Sequence, residues 1–150
     1  YFVCIVLFFF AGLTDYFDGY LARKYNAESQ IGEILDPIAD KILIVFLLIG
    51  LSVQLDSFLM AFLSSLIIAR EIGIAALRDY SSRKNISDRT KVTYLAKIKT
   101  SLQLFSIGSY LFALTISFNL LILISDIFLM IATLITIYTG YEYTLNVFKK

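Results

Sequence analysis

The sequence predicts an all-α protein, a polytopic bundle of transmembrane helices, and two observations favour that fold class. Apolar residues make up 59% of the 150 residues, and the chain contains a single proline. A water-soluble domain of this length needs far more polar surface, so we expect an integral membrane protein. The apolar residues also form long runs separated by short polar stretches, which predict five membrane spans in one domain over residues 1–150.

The first two predicted helices are apolar at one end and polar at the other. Residues 1–25 predict one helix whose second half is polar on one face, and the polar stretch 26–30 ends it. Residues 32–55 predict the second helix, with Pro37 either in its first turns or kinking it. A short turn at 54–57 follows.

The remaining three helices are predicted from longer apolar runs. Residues 58–77 have the roughly 20 residues that a span requires, and a charged loop follows at 79–91. Residues 94–118 predict a fourth span. Ser125 or Asp126 could cap a last span that reaches to about residue 147.

Basic residues mark one end of this predicted bundle. All thirteen lysines and arginines lie at that end, whereas the turns near 54–57 and 118–124 contain none. The positive-inside rule therefore predicts that the basic end faces the cytoplasm. Histidine is absent, which excludes histidine bases and histidine-ligated zinc. The single cysteine, Cys4, cannot form an internal disulfide.

Four aspartates are concentrated in the polar parts of the first two predicted helices. At about 100° per residue, the first two aspartates share a narrow arc with a glycine and an alanine, and the other two share a side of the next helix with a glycine. These residues are Asp15, Asp18, Gly19 and Ala22, followed by Gly32, Asp36 and Asp40. Carboxylates beside apolar runs are costly unless something compensates them, so this pattern predicts a site for a divalent cation and a bulky polar ligand.

Carboxylate oxygens favour Mg²⁺, Mn²⁺ or Ca²⁺, and Mg²⁺ in proteins commonly shares its ligand shell with substrate phosphates. The small residues would let a nucleotide come close to the backbone, although contact between helices through small residues explains them equally well. Arg23 could add a charge-assisted contact to a phosphate. A structural polar network is the alternative for the aspartates.

The stretch 15–40 resembles the signature of the CDP-alcohol phosphotransferase family. The pattern is Asp-x2-Asp-Gly-x2-Ala-Arg-x8-Gly-x3-Asp-x3-Asp, and the chain matches every fixed position and every gap. Within that family the chain looks most like the bacterial phosphatidylglycerophosphate synthases, through stretches that include Arg70-Glu71 and 97–100 with Gln103. The family has six spans, so we expect that its first helix is missing from this sequence.

The resemblance implies a direct phosphatidyl transfer, in which an alcohol hydroxyl attacks the β-phosphorus of CDP-diacylglycerol and CMP leaves. It implies one or two Mg²⁺ or Mn²⁺ ions, with Asp40 as general base and possible further ligand. It also implies a homodimer in the bacterial cytoplasmic membrane, contacts with membrane lipids, and no nucleic-acid partner. The implied metal ligands are Asp15, Asp18, Asp36 and Asp40, and the implied CDP and pyrophosphate contacts are Asp15, Gly19, Ala22, Arg23 and Gly32.

The acceptor alcohol is predicted from four basic residues near the same end. A phosphorylated alcohol needs a cationic lining, which favours glycerol 3-phosphate over serine and leaves inositol phosphate or phosphatidylglycerol open. The four residues are Arg70, Arg78, Lys97 and Lys99. Arg70 could equally pair with Glu71, and the other three could be anchors to anionic lipid.

Two other functions account for the pattern less well than a transferase. Intramembrane carboxylates also mark ion pathways, but a cation transporter should carry them near the middle of several spans. Here they lie at one end, and the other halves of the helices are almost wholly apolar. A membrane scaffold without activity gives no reason for four aspartates at matched helical spacing.

Overall fold

The computed structural model describes residues 1–25, 30–84 and 94–148, and these residues form five α-helices without a strand. The all-helical fold class is therefore confirmed. The helices are α1 (Phe2–Tyr25), α2 (Gln30–Leu55), α3 (Phe58–Arg83), α4 (Tyr94–Ile116) and α5 (Asn119–Phe148). Helix α2 runs through Pro37 without a break in its helical backbone.

Two tight turns join the helices into hairpins at the end opposite the basic residues. Between α2 and α3, Asp56 takes a left-handed conformation with φ of 44°, and the Ser57 hydroxyl accepts a hydrogen bond from the Met60 N–H at 3.3 Å. This serine is the N-cap of α3, which satisfies one of the unpaired N–H groups of its first turn. Between α4 and α5, Ser117 has φ of 55°. The helices of each hairpin therefore run antiparallel.

Helix α4 lies at the centre of the bundle. It packs against α1, α2 and α5, while α3 packs against α2 and α5. The shared core draws apolar side chains from all five helices, among them Ile5, Leu48, Met60, Ile67, Ile107 and Leu129. Around this core the outward faces remain apolar, as at Phe58, which is 86% exposed. Large apolar side chains on the outside are what a protein solvated by lipid requires.

Three of the described helical stretches are long and apolar enough to cross a membrane. They are Ile38–Leu55, Phe58–Arg83 and Asn119–Phe148, and Phe2–Thr14 is a shorter apolar helix. Helix α4 is more polar because it carries Lys99, Gln103 and several hydroxyl side chains, most of them turned toward other helices. The architecture is that of a membrane helix bundle, and the number of five spans stays a prediction.

Two predicted boundaries are wrong. Helix α3 does not end near residue 77 but continues to Arg83, where an ion pair to Asp79 at 2.9 Å links successive turns. Helix α5 begins at Asn119, so Ser125 and Asp126 are inside it and do not cap it. The rest of the predicted charged loop, residues 85–91, lies outside the described residues.

The two polar residues taken for a cap join α5 to α4 instead. The Tyr110 hydroxyl donates a hydrogen bond to Asp126, and the Ser106 hydroxyl donates to the Ser125 carbonyl oxygen at 2.9 Å. Tyr110 and Ser106 are fully buried. These bonds lie one turn apart along α4 and fix how the second hairpin packs.

Replacement of Tyr110 by Phe should destabilise the bundle, because it leaves the Asp126 carboxylate without this donor in an apolar setting. We expect a loss of about 1–3 kcal/mol, measured as a lower Tm in detergent. The double variant Tyr110→Phe with Asp126→Leu should recover much of that loss, because neither partner is then left unsatisfied. A Tm for Tyr110→Phe equal to that of the wild type would contradict this assignment.

Candidate active site

The four signature aspartates lie on two helices, as their spacing predicts. Helix α1 carries Asp15 and Asp18, and α2 carries Asp36 and Asp40. The side chains of Asp18 and Asp40 are exposed. Those of Asp15 and Asp36 lie outside the part of the structure that is described. The helical backbone of both stretches places each pair of aspartates within one face of its helix.

Several other predicted site residues also have described backbones and undescribed side chains. All of them lie within helices, so their register relative to the aspartates is that of the signature. They are Gly19, Ala22, Arg23, Gly32 and Lys97. The site is therefore built below from the described side chains around Asp40.

Asp40 lies where two cavities meet. A cavity of about 220 Å³ opens between α2, α3 and α4, and Asp40 lines it. A second cavity, of about 550 Å³, opens between α1, α2 and α4, and Asp40 lines that one too. Ile44 and Thr100 are likewise shared by both linings. A carboxylate in this position could contact molecules bound on either side of α2.

The two cavities differ in character. The α1–α2–α4 cavity is largely apolar apart from Asp40 and Thr100, with Phe8, Phe9, Leu13, Leu43 and Leu104 among its walls. The α2–α3–α4 cavity contains four charged residues and an amide in its lining: Asp40, Lys41, Glu71, Lys99 and Gln103. One cavity therefore suits hydrocarbon, and the other suits a small polar molecule.

Lys99 is held in the smaller cavity by an ion pair across two helices. Its Nζ donates to the Glu71 carboxylate of α3, and the lysine side chain is only 6% exposed. Arg70 Nη1 donates to the same carboxylate oxygen at 3.1 Å. Glu71 thus lies between two cations, so the group of three carries a net charge of +1. Such pairing is what permits charged side chains to be this deeply buried.

Arg70 in turn attaches this ion cluster to α5. Its Nε donates to the Thr136 carbonyl oxygen at 3.1 Å, and its Nη2 donates to the Thr139 hydroxyl at 2.9 Å. Gly140 allows this close approach, because a Cβ atom there would lie 3.1 Å from Arg70 Cγ. The alternative interpretation of Arg70, as the partner of Glu71, thus agrees with the geometry.

The other predicted acceptor residue with a described side chain is Arg78. It is exposed, and its guanidinium lies 5.7 Å from the centre of the buried Tyr143 ring. Arg70 lies 5.8 Å from the same ring. Among the described residues, Lys99 lines the α2–α3–α4 cavity, whereas Arg70 and Arg78 line neither cavity. The structure therefore brings Lys99, but not Arg70 or Arg78, into a cavity with Asp40.

Sequence reasoning gave two residues of this site no firm role. The sequence predicts at most an ion pair of Glu71 with Arg70 or a neighbouring lysine, and in the structure Glu71 pairs with both Arg70 and Lys99. Gln103 entered only through the resemblance, yet it is buried and lines the cavity. The spacing in the sequence could have indicated this position, because Gln103 follows Lys99 by four residues and both therefore lie on one face of α4.

Replacement of Arg70 by Lys should lower stability, because a lysine cannot make the forked contacts to α5 and Glu71 together. We expect a loss of about 1–3 kcal/mol, seen as a lower Tm. Arg83→Lys is the matched control, because the Arg83–Asp79 pair is largely exposed and contributes little. Equal effects of the two substitutions would refute the anchoring role of Arg70.

Comparison with known proteins agrees with the signature. The family model described as CDP-alcohol phosphatidyltransferase matches residues 1–138. Three similar proteins carry the name CDP-diacylglycerol–glycerol-3-phosphate 3-phosphatidyltransferase. The protein of Blochmanniella floridana is 43% identical over 105 residues, which are 70% of this chain and 55% of that protein.

The other two similar proteins align over more of their length. The protein of Rickettsia bellii is 41% identical over 140 residues, which are 92% of this chain and 75% of that protein. The protein of Haemophilus influenzae is 33% identical over 142 residues, or 95% of this chain and 75% of that protein. The chain belongs to the CDP-alcohol phosphatidyltransferase family.

Proposed function

We propose that this protein transfers a phosphatidyl group from CDP-diacylglycerol to glycerol 3-phosphate, which gives phosphatidylglycerophosphate and CMP. The observation that carries the proposal is the position of Asp40 between an apolar cavity and a charged one. The names of the similar proteins support the same two substrates. The active site would face the cytoplasm of a bacterial cell, at the basic end of the bundle.

The lipid-linked nucleotide would bind on the α1 side of Asp40. The apolar walls of the larger cavity suit acyl chains, Asp40 lines this cavity, and the other signature aspartates are carried by α1 and α2, two of the helices that border it. Following the family pattern, the cytidine and diphosphate would lie against the small residues and one arginine of the signature. These residues are Gly19, Ala22, Arg23 and Gly32.

The donor set of the signature fits a divalent cation. Four carboxylates within 26 residues, on two helices that border one cavity, offer the hard oxygen ligands that Mg²⁺ and Mn²⁺ prefer. Asp15, Asp18 and Asp36 would hold the ion, and Asp40 would be shared with a second ion where two are bound. When bound, the ion supplies positive charge that stabilises the charge on the transferring phosphate.

The acceptor would bind on the α3 side, in the α2–α3–α4 cavity. Lys99 has three N–H donors and, among the described residues, gives one to Glu71, which would leave others for the acceptor phosphate. Asp40 would take the proton from the attacking hydroxyl. The hydroxyl oxygen then forms a bond to the β-phosphorus, the bond from that phosphorus to the CMP oxygen breaks, and CMP leaves.

Arg70 would act as a positioning residue in this scheme. By holding Glu71 against α5, it fixes the carboxylate that orients Lys99 at the cavity. Direct contact of Arg70, Arg78 or Lys97 with the acceptor stays a prediction, as does the homodimer that the family resemblance implies.

Replacement of Asp40 by Asn should lower the rate of CMP release by at least about 100-fold, because an amide cannot accept the hydroxyl proton. The assay contains purified protein, CDP-diacylglycerol, glycerol 3-phosphate and Mg²⁺. Asp79→Asn is the matched control, an exposed aspartate paired with Arg83 outside both cavities. An Asp40→Asn variant as active as this control would contradict the proposed base.

Removal of divalent ions with EDTA should abolish CMP release, because the carboxylates then have no cation with which to bind the diphosphate. Addition of Mg²⁺ or Mn²⁺ in excess should restore it. Full activity in EDTA would rule out the metal site. Release of CMP with serine or inositol phosphate, but not with glycerol 3-phosphate, would keep the family reaction and overturn the acceptor.

A further inference from the structure

Gln103 is a buried amide whose hydrogen-bonding capacity is incompletely used. Its side chain lines the α2–α3–α4 cavity and the residue is 2% exposed. Its Nε2 has no hydrogen-bond partner among the residues that the structure describes. Because an unpaired buried donor is costly, folded proteins rarely keep one without a ligand or water to satisfy it. The position of this donor in a cavity points to a ligand.

The place of Gln103 along α4 indicates which part of a ligand it meets. It lies four residues after Lys99, so both side chains are on one face of the helix and about 6 Å apart along its axis. The lysine supplies positive charge at the outer level of the cavity, and the amide supplies a neutral donor one turn deeper. Asp40 lines the same cavity from α2.

We propose that Gln103 is a specificity-determining residue that donates a hydrogen bond from Nε2 to the secondary hydroxyl of the acceptor. The inference rests on the proposed function, in which Lys99 binds the acceptor phosphate and Asp40 faces the attacking hydroxyl. In glycerol 3-phosphate the secondary hydroxyl lies between these two groups. This hydroxyl would accept the hydrogen bond from the neutral Gln103 amide, while the charged phosphate would bind Lys99.

If Gln103 had only a structural role, its amide would stabilise the ligand-free protein less than an apolar side chain would. Without a ligand, an apolar side chain of similar length would fill the same space and bury no unpaired donor. Methionine is that replacement, since it is flexible and close to glutamine in size. Gln103→Met should therefore keep or raise the Tm of the ligand-free protein while it changes the choice of acceptor.

The test compares two acceptors in the CMP-release assay with CDP-diacylglycerol and Mg²⁺. One is glycerol 3-phosphate, and the other is 3-hydroxypropyl phosphate, which lacks the secondary hydroxyl. We expect the wild type to prefer glycerol 3-phosphate by about tenfold or more in kcat/KM, because the analogue leaves the buried donor unpaired. In Gln103→Met the preference should fall to near unity, through loss of activity with glycerol 3-phosphate alone.

Ser64→Ala is the matched control. Ser64 is buried at 3% exposure and its hydroxyl also has no described partner, but it lies outside the lining of this cavity. The control should keep the wild-type preference. If Ser64→Ala lost the preference to the same extent, the effect would not belong to the cavity and the inference would be wrong.

Three results would overturn the role of Gln103. The preference could persist in Gln103→Met, or both acceptors could lose activity equally, which would place the amide on the phosphate. A marked fall in Tm would show that the amide has a structural partner. A wild-type protein that releases no CMP with glycerol 3-phosphate would instead contradict the proposed function itself, and the inference with it.

Discussion

A charged side chain inside an apolar helix bundle needs a compensating charge, and this constraint organises the basic end of the protein. The charge of Glu71 is compensated by side chains of the same protein, because Lys99 and Arg70 both pair with its carboxylate. Arg70 then extends the cluster to the Thr136 and Thr139 side of α5. Three helices are thereby joined at the level of the cavities, where an unpaired charge would cost several kcal/mol.

The signature aspartates also need a compensating charge, and in the proposed site a bound cation would supply it. Asp40 opens onto two cavities, and the other three lie on the helices that border the larger one. A divalent cation would compensate these carboxylates, and it would bring the diphosphate of the nucleotide to the side of Asp40 opposite Lys99. Structural pairing and catalytic chemistry would then share one layer of the bundle, while the opposite half is mostly apolar apart from the Tyr110–Asp126 contact.

The sequence predicted the helices well because apolar runs and breakers are local signals. The predicted turn at 54–57 contains Asp56 and Ser57, which join α2 to α3, and the predicted starts of α3 and α4 are correct. The prediction failed at Ser125 and Asp126, because short polar residues favour a helix cap, and only the packing of α4 shows that Tyr110 and Ser106 contact them. In the same way, the spacing of the aspartates is local, whereas the Glu71–Lys99 pair joins residues 28 positions apart.

Titration with Mn²⁺, followed by electron paramagnetic resonance, tests most directly whether carboxylates from both α1 and α2 bind a divalent ion. The wild type should bind Mn²⁺, and Asp18→Asn on α1 and Asp36→Asn on α2 should each weaken binding by about tenfold or more, since each removes an anionic oxygen donor. Asp79→Asn should leave binding unchanged. Mn²⁺ affinity equal to the wild type in both Asp18→Asn and Asp36→Asn would contradict a metal site shared by α1 and α2.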